Sequence, residues 1–291
     1  MTATTVTTPS ATPARTAAPL GRLLRSELRL VLRRPRTLVI FGLFALLPVV
    51  MAIGIAIAGA RSGGPNGGLI ASVVGNGLVL PVAALGLALT LLLLPLGVSM
   101  TAADALAGEA AHGTMRGLLL APVSRLRLVG VKAVGVLAVA LLAVAVISLV
   151  GALAGTIIVG NSAGDGGLLT LSGTAVGAGE AIGRVALAAG WTVVQLGAVG
   201  AVALAVSSLT DHPLVVLAVL LGGAIMFGVL SAIPALDWLQ PYLLITGWPA
   251  IADVLRDPVP LDALADTSLK AVCYVAIGLG IALTRMGTRD A

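Results

Sequence analysis

The sequence predicts an all-α polytopic membrane protein, and three observations carry that prediction. Of its 291 residues 58% are hydrophobic and only 10% charged, with a mean hydropathy of +1.11. A soluble domain carries about 25% charged residues, so water is not the main solvent of this surface. Five apolar runs, at 37–58, 78–100, 133–153, 185–209 and 214–233, each hold about 20 residues or more without an ionisable side chain. At roughly 1.5 Å per residue each is long enough to cross a hydrocarbon core of about 30 Å. A sixth run at 271–283 has 13 residues and spans only if its helix starts near Thr267 and Lys270 snorkels outward, giving a span over 267–283. These features exclude a soluble enzyme and a disordered chain.

The scarce charges set the count and the orientation. With the N-terminus in the cytoplasm and six spans, the inner segments hold thirteen basic and five acidic residues, and the outer segments four and seven. The net charges, +8 inside and −3 outside, recover the chain's +5. Basic residues collect on the cytoplasmic side of spans, so both termini belong there. The basic balance thus reads as topology and attraction to anionic lipid, not as a nucleic-acid footprint. With one cysteine, Cys273, the chain cannot close an internal disulfide.

In chain order, residues 1–19 are Thr, Ala and Pro-rich and read as a disordered cytoplasmic tail. The first apolar run lies too far in and is too long for a secretory signal. Residues 20–36 form an amphipathic interfacial helix, with Leu20, Leu23, Leu24, Leu28 and Val31 on one face and Arg22, Arg25, Arg29, Arg33 and Arg36 on the other. The expected placement is in the inner headgroup layer, apolar side down and guanidinium groups toward phosphates. Pro35 interrupts it ahead of the first span. Glu27 and Arg34 break the pattern by projecting toward the apolar face. The bland explanation is that they pair or snorkel; the sharper one is that Glu27 meets a partner subunit. The six-span region runs over 37–285, and 286–291 form a short cytoplasmic tail.

Outside, 61–77 and 160–183 are Gly-rich loops without a recognisable site. The stretch 234–266 differs: Trp238, Tyr242 and Trp248 lie among Pro234, Pro241, Pro249, Pro258 and Pro260. Short apolar pieces broken by proline read as a re-entrant-like segment in the outer interface, an ordinary aromatic belt being the alternative. Gly151 and Gly155 form a G-x-x-x-G in the third span, a spacing that permits close helix approach but commits no dimer face.

Several chemistries have no residues here. Ion-coupled transport places ionisable groups within the membrane, and none of the five long runs has one. Gln195 is the strongly polar side chain deep in them, and a helix-to-helix hydrogen bond accounts for it. His112, His212 and Cys273 provide no metal set. Neither lysine follows a glycine as a phosphate-binding loop requires, so the chain has no catalytic residue, metal or cofactor of its own in this reading.

The inner loop between spans two and three stands out on its chemistry. Glu109 is an acid in a basic segment. Gly113 and Thr114 can stop one helix and cap the next, a short helix over 115–120 comes after them with Met115, Arg116 and Leu118, and Pro122 ends it before Ser124 caps the third span. The product is a helix parallel to the membrane that presents polar ends and a leucine body to a cytoplasmic partner.

In this loop the sequence resembles the ABC type 2 permease family, the membrane subunits of ATP-driven exporters. The match consists of Glu109, Gly113, Thr114, Leu118 to Leu120, then Pro122, Val123, Ser124 and Arg125, and Lys132 at the opening of span three. Ala111 stands where many members have a second acid. The resemblance extends to the basic helix before span one, the six-span order and the broken outer segment. It implies two six-span units, homo- or heterodimeric, in the plasma membrane, each resting a coupling helix in a separate nucleotide-binding subunit that carries ATP and Mg. Glu109, Gly113, Thr114, Met115, Arg116 and Leu118 are then the ATPase contact. The implied activity is efflux of a hydrophobic or amphipathic molecule such as a drug, natural product or lipid-like compound. The low aromatic content, 3%, favours such cargo over a sugar polymer. An ion-extrusion or immunity permease of the same architecture and a non-transporting membrane anchor are the alternatives.

Overall fold

A computed structural model describes residues 20–59, 73, 76–111, 125–160 and 167–288. The expected N-terminal tail, the helix over 115–120 and the last three residues lie outside this described set. Helix α1 (Leu20–Leu32) precedes α2 (Pro35–Gly59), and the proline that separates them occupies the first position of α2, where its missing N–H costs nothing. A short turn (Gly77–Val79) leads into α3 (Leu80–Thr90), followed by α4 (Leu93–Ala103). The polypeptide continues through a π turn (Asp104–Gly108) to Ala111. Helix α5 (Arg125–Ala154) ends in a second π turn (Gly155–Val159). A two-residue hairpin, β1 (Leu168–Leu169) and β2 (Ala175–Val176), is antiparallel, with Leu168 opposite Val176. Then come α6 (Ala178–Leu209), α7 (Pro213–Ser231), three 3-10 segments ending with Ile245–Leu255, and α8 (Leu261–Thr288).

Among the described residues five helices, α2, α5, α6, α7 and α8, are long and apolar enough to cross a membrane, and α3 with α4 make a sixth span if the bent pair is counted as one. The bend, 59° between Gly77–Thr90 and Leu93–Ala111, interrupts the run expected over 78–100. Pro95 is its cause. A proline ring collides with the carbonyl four residues earlier, here that of Leu91. Leu92 then takes a left-handed conformation (φ 62°), rare for a side chain of its bulk. The N–H of Leu96 donates to the Leu92 carbonyl at 2.9 Å and restarts the helix.

The last helix also departs from expectation. It begins at Leu261, six residues before Thr267, so its 28 residues reach about 42 Å and need no stretching to span. Asp262 in its first turn suits the positive end of the helix dipole. Lys270 Nζ donates to the Leu243 carbonyl at 3.3 Å.

Helix α6 is the axis of the bundle. In its apolar stretch 67% of residues are buried, against 6% for α7, which lies at the edge. It packs chiefly against α8, α4 and α5. The α6–α8 crossing is tightest at Gly278, where a Cβ would sit 2.7 Å from the Ala201 backbone. Gly155 meets the Gly77 carbonyl, and a Cβ there would lie 2.0 Å from it. The G-x-x-x-G of Gly151 and Gly155 therefore packs within the chain, with Gly151 against Pro81. Gln195 makes a helix-to-helix bond, its Nε2 donating to the Thr267 carbonyl at 3.3 Å.

Candidate functional site

The ionisable groups gather where the loop between α4 and α5 leaves the bundle. Lys132 lies two turns into α5 and is 3% exposed. Its Nζ donates to Glu27 Oε1 and Oε2 at 3.0 Å each, and to Glu109 Oε1. Both carboxylates are 12% exposed. An ammonium has three donors, and these three oxygens use all of them. Gly135, three residues on and on the same face of α5, makes room: a Cβ there would stand 3.2 Å from Glu27 Cγ.

Beside this triad Arg34 Nη1 donates to Asp104 Oδ2 at 3.3 Å. Glu27, Arg34, Thr101 and Lys132 line one small void of about 10 Å³, so the triad and the Arg34–Asp104 pair form one cluster. The π turn between Asp104 and Glu109 adds a residue to the helix and rotates the residues beyond it, Glu109 included, by roughly 100°. Its widened turn is satisfied from α6. The Ala107 N–H donates to Ser207 Oγ at 3.0 Å, and that hydroxyl donates to the Ala103 carbonyl at 3.2 Å.

Part of the apolar face of α1 packs on the protein itself. Val31 is buried, Leu24 and Leu28 are half-buried, and α1 packs chiefly against α5. Glu27 sits on that packed face, away from the exposed Arg22, Arg25, Arg29 and Arg33. Those four arginines line an open concavity together with Ser26 and Leu30. Of the two readings of Glu27, the structure bears out the pairing: its carboxylate accepts from Lys132 within the chain. Glu109 is held by the same lysine. Gly113, Thr114, Met115, Arg116 and Leu118 lie outside the described residues. Sequence reasoning counts Lys132 only as a basic residue opening span three. The signal that could have found its partners is the pair of charges, Glu27 and Arg34, stranded on an apolar helix face.

At the far end of the bundle Arg184, 5% exposed, plays a corresponding structural part. It binds Glu180 Oε1 through Nε (3.1 Å) and Nη2 (2.6 Å), the carbonyls of Arg256 (2.6 Å) and Val254 (3.3 Å) through Nη1, and Asp257 Oδ1 (3.3 Å). Asp257 also accepts from Thr174 at 2.7 Å, so one guanidinium ties α6, the last 3-10 segment and the hairpin together.

The sequence profile of the ABC-2 family transporter proteins matches residues 22–249, which include every member of the ion cluster. This chain belongs to the ABC-2 transporter family. The ABC-2 protein is accordingly a membrane component of an ABC transporter, and the family implies an ABC ATPase partner in general. A comparison with curated proteins returned no match. The matched range of the ABC-2 chain ends within the last 3-10 segment, before α8 begins.

Proposed function

We propose that this chain is the permease subunit of an ABC exporter in the plasma membrane, with both termini cytoplasmic. Two such subunits pair, and each sets the loop over 112–124 into a separate nucleotide-binding subunit that holds ATP and Mg. Glu109, Gly113, Thr114, Met115, Arg116 and Leu118 form the contact, and the four outward arginines of α1 face lipid phosphates. Closure of the ATPases pushes the loops, and the spans open a path outward. One observation carries the reading: Glu109 and Lys132, on either side of the loop, are joined by an ion pair, so a push on the loop arrives at the stem of two helices.

The cargo is a hydrophobic or amphipathic molecule. A cavity of about 270 Å³ supports that class; Leu92, Val206, Ala224, Phe227 and Trp248 are among its mostly apolar lining. Such pockets with few polar groups suit apolar ligands. The test is purification of the tagged chain from its native membrane, followed by ATP-driven uptake of an apolar fluorophore into inverted vesicles. An ATPase is expected to co-purify, and deletion of 113–120 should abolish both its retention and uptake while the chain still inserts. Full uptake by the deletion variant would refute the reading.

A further inference from the structure

We infer that Lys132 is a positioning residue, a clamp that makes α1, the end of α4 and the start of α5 one mechanical body. The clamp is argued from geometry alone; that it serves coupling rests on the function proposed above.

A lysine that only needed neutralising would be served by one carboxylate. Lys132 instead takes two, from segments 82 positions apart in sequence, and buries itself between them. Each carboxylate reports on a different element. Glu27 belongs to α1, and Glu109 is the last acid before the loop. The bonds are charge-assisted, and in a site shielded from water they resist separation far more than an exposed pair does. Removing the ammonium leaves two carboxylates facing one another, so the joint would be driven apart, not merely loosened.

The rest of the cluster extends the same joint. Arg34, in the link between α1 and α2, holds Asp104 at the near end of the π turn, while Glu109 is held at the far end. The turn is therefore bracketed by two ion pairs and braced at its middle by Ser207 of α6. A π turn interrupts the regular α-helical ladder, and here its two ends and the Ala107 N–H within it are held. Displacement of the loop then cannot be absorbed by bending the end of α4 and passes into α1 and α5 instead.

The test uses the full chain with Cys273→Ala and spin labels at Leu30→Cys on α1 and Ala111→Cys just beyond the π turn that follows α4, both exposed positions. In nanodiscs, pulsed dipolar spectroscopy should give a narrow distance distribution. Lys132→Met is expected to broaden it at least twofold. Glu27→Gln spares the Lys132–Glu109 pair and should keep the fold, yet should broaden the distribution as well. The inverted triad, Lys132→Glu with Glu27→Lys and Glu109→Lys, restores one charge between two of opposite sign and should narrow it again. Distributions unchanged in Lys132→Met and Glu27→Gln would overturn the clamp, whatever the partner does. With the co-purified ATPase, both single variants should lower permease-stimulated hydrolysis about tenfold and the inverted triad should recover most of it. Broadened distances with unchanged stimulation would overturn the role in coupling. A wild-type chain that stimulates no ATPase would count against the proposed function and leave the distance measurement to decide the clamp.

Discussion

Arg184 shows what a single buried charge does at the residue scale. Its guanidinium satisfies two carboxylates and two backbone carbonyls that otherwise share no partner. Truncating one member of a buried ion pair costs about 3–5 kcal/mol, because the other is left uncompensated. Glu180 and Asp257 are 54% and 36% exposed, so water recovers part of that, and Arg184→Ala should cost about 2–4 kcal/mol. Arg184→Lys should recover little of it, since a lysine lacks the planar fork that reaches four acceptors. Thermal denaturation in detergent measures both, and a shift equal to that of an exposed substitution such as Arg256→Ala would refute the assignment. Composition makes Arg184 one of four basic residues counted outside, with no hint of burial. Apart from Glu180, one helical turn back, its partners lie about 70 residues away in the chain, a distance that no local pattern spans. Lys132 is opaque for the same reason: Glu27 is 105 positions away.

At the scale of elements, hydropathy locates the helices because a span must bury every backbone polar group within itself. It does not locate the break between α3 and α4. A sum of transfer energies scores Leu91, Leu92 and Pro95 as three apolar residues, and the bend arises from ring sterics that hydropathy does not contain. Nor does it place the start of α8, since Asp262 and Asp266 count against a span although they sit in its first turns. How the helices approach each other is likewise decided by space. At Gly278 a side chain would strike the Ala201 backbone, whereas at Gly280, two residues on, nothing lies within 4 Å. Gly278→Val should therefore separate α6 from α8 and cost about 1–3 kcal/mol or more. Gly280→Ala should be neutral or stabilise by about 0.5–1 kcal/mol, because alanine is the better helix former. Unfolding of the two variants side by side checks this, and equal losses would mean that the crossing is not set by Gly278.

The whole molecule is polarised, and its two ends are built differently. The end that bears the loop holds the Glu27, Lys132 and Glu109 triad and the exposed arginines of α1; the opposite end is closed by Arg184, the hairpin and the 3-10 segments. An even number of spans returns both termini to one side, and the proposed side is the one with the basic excess. That orientation makes a prediction in which three sites must agree. In a Cys273→Ala background, Gly21→Cys near the start of α1 and Thr288→Cys at the end of α8 should be inaccessible to a membrane-impermeant thiol reagent in intact cells and react after permeabilisation. Leu171→Cys, exposed in the hairpin turn, should react in intact cells. If Gly21 and Thr288 fell on opposite sides, α3 and α4 would not form one span, and the bend at Leu92 would have to be a re-entrant hairpin. The loop between α4 and α5 would then leave the membrane on the side away from any ATPase. Thiol accessibility thus tests the six-span count and the position of the ion cluster together.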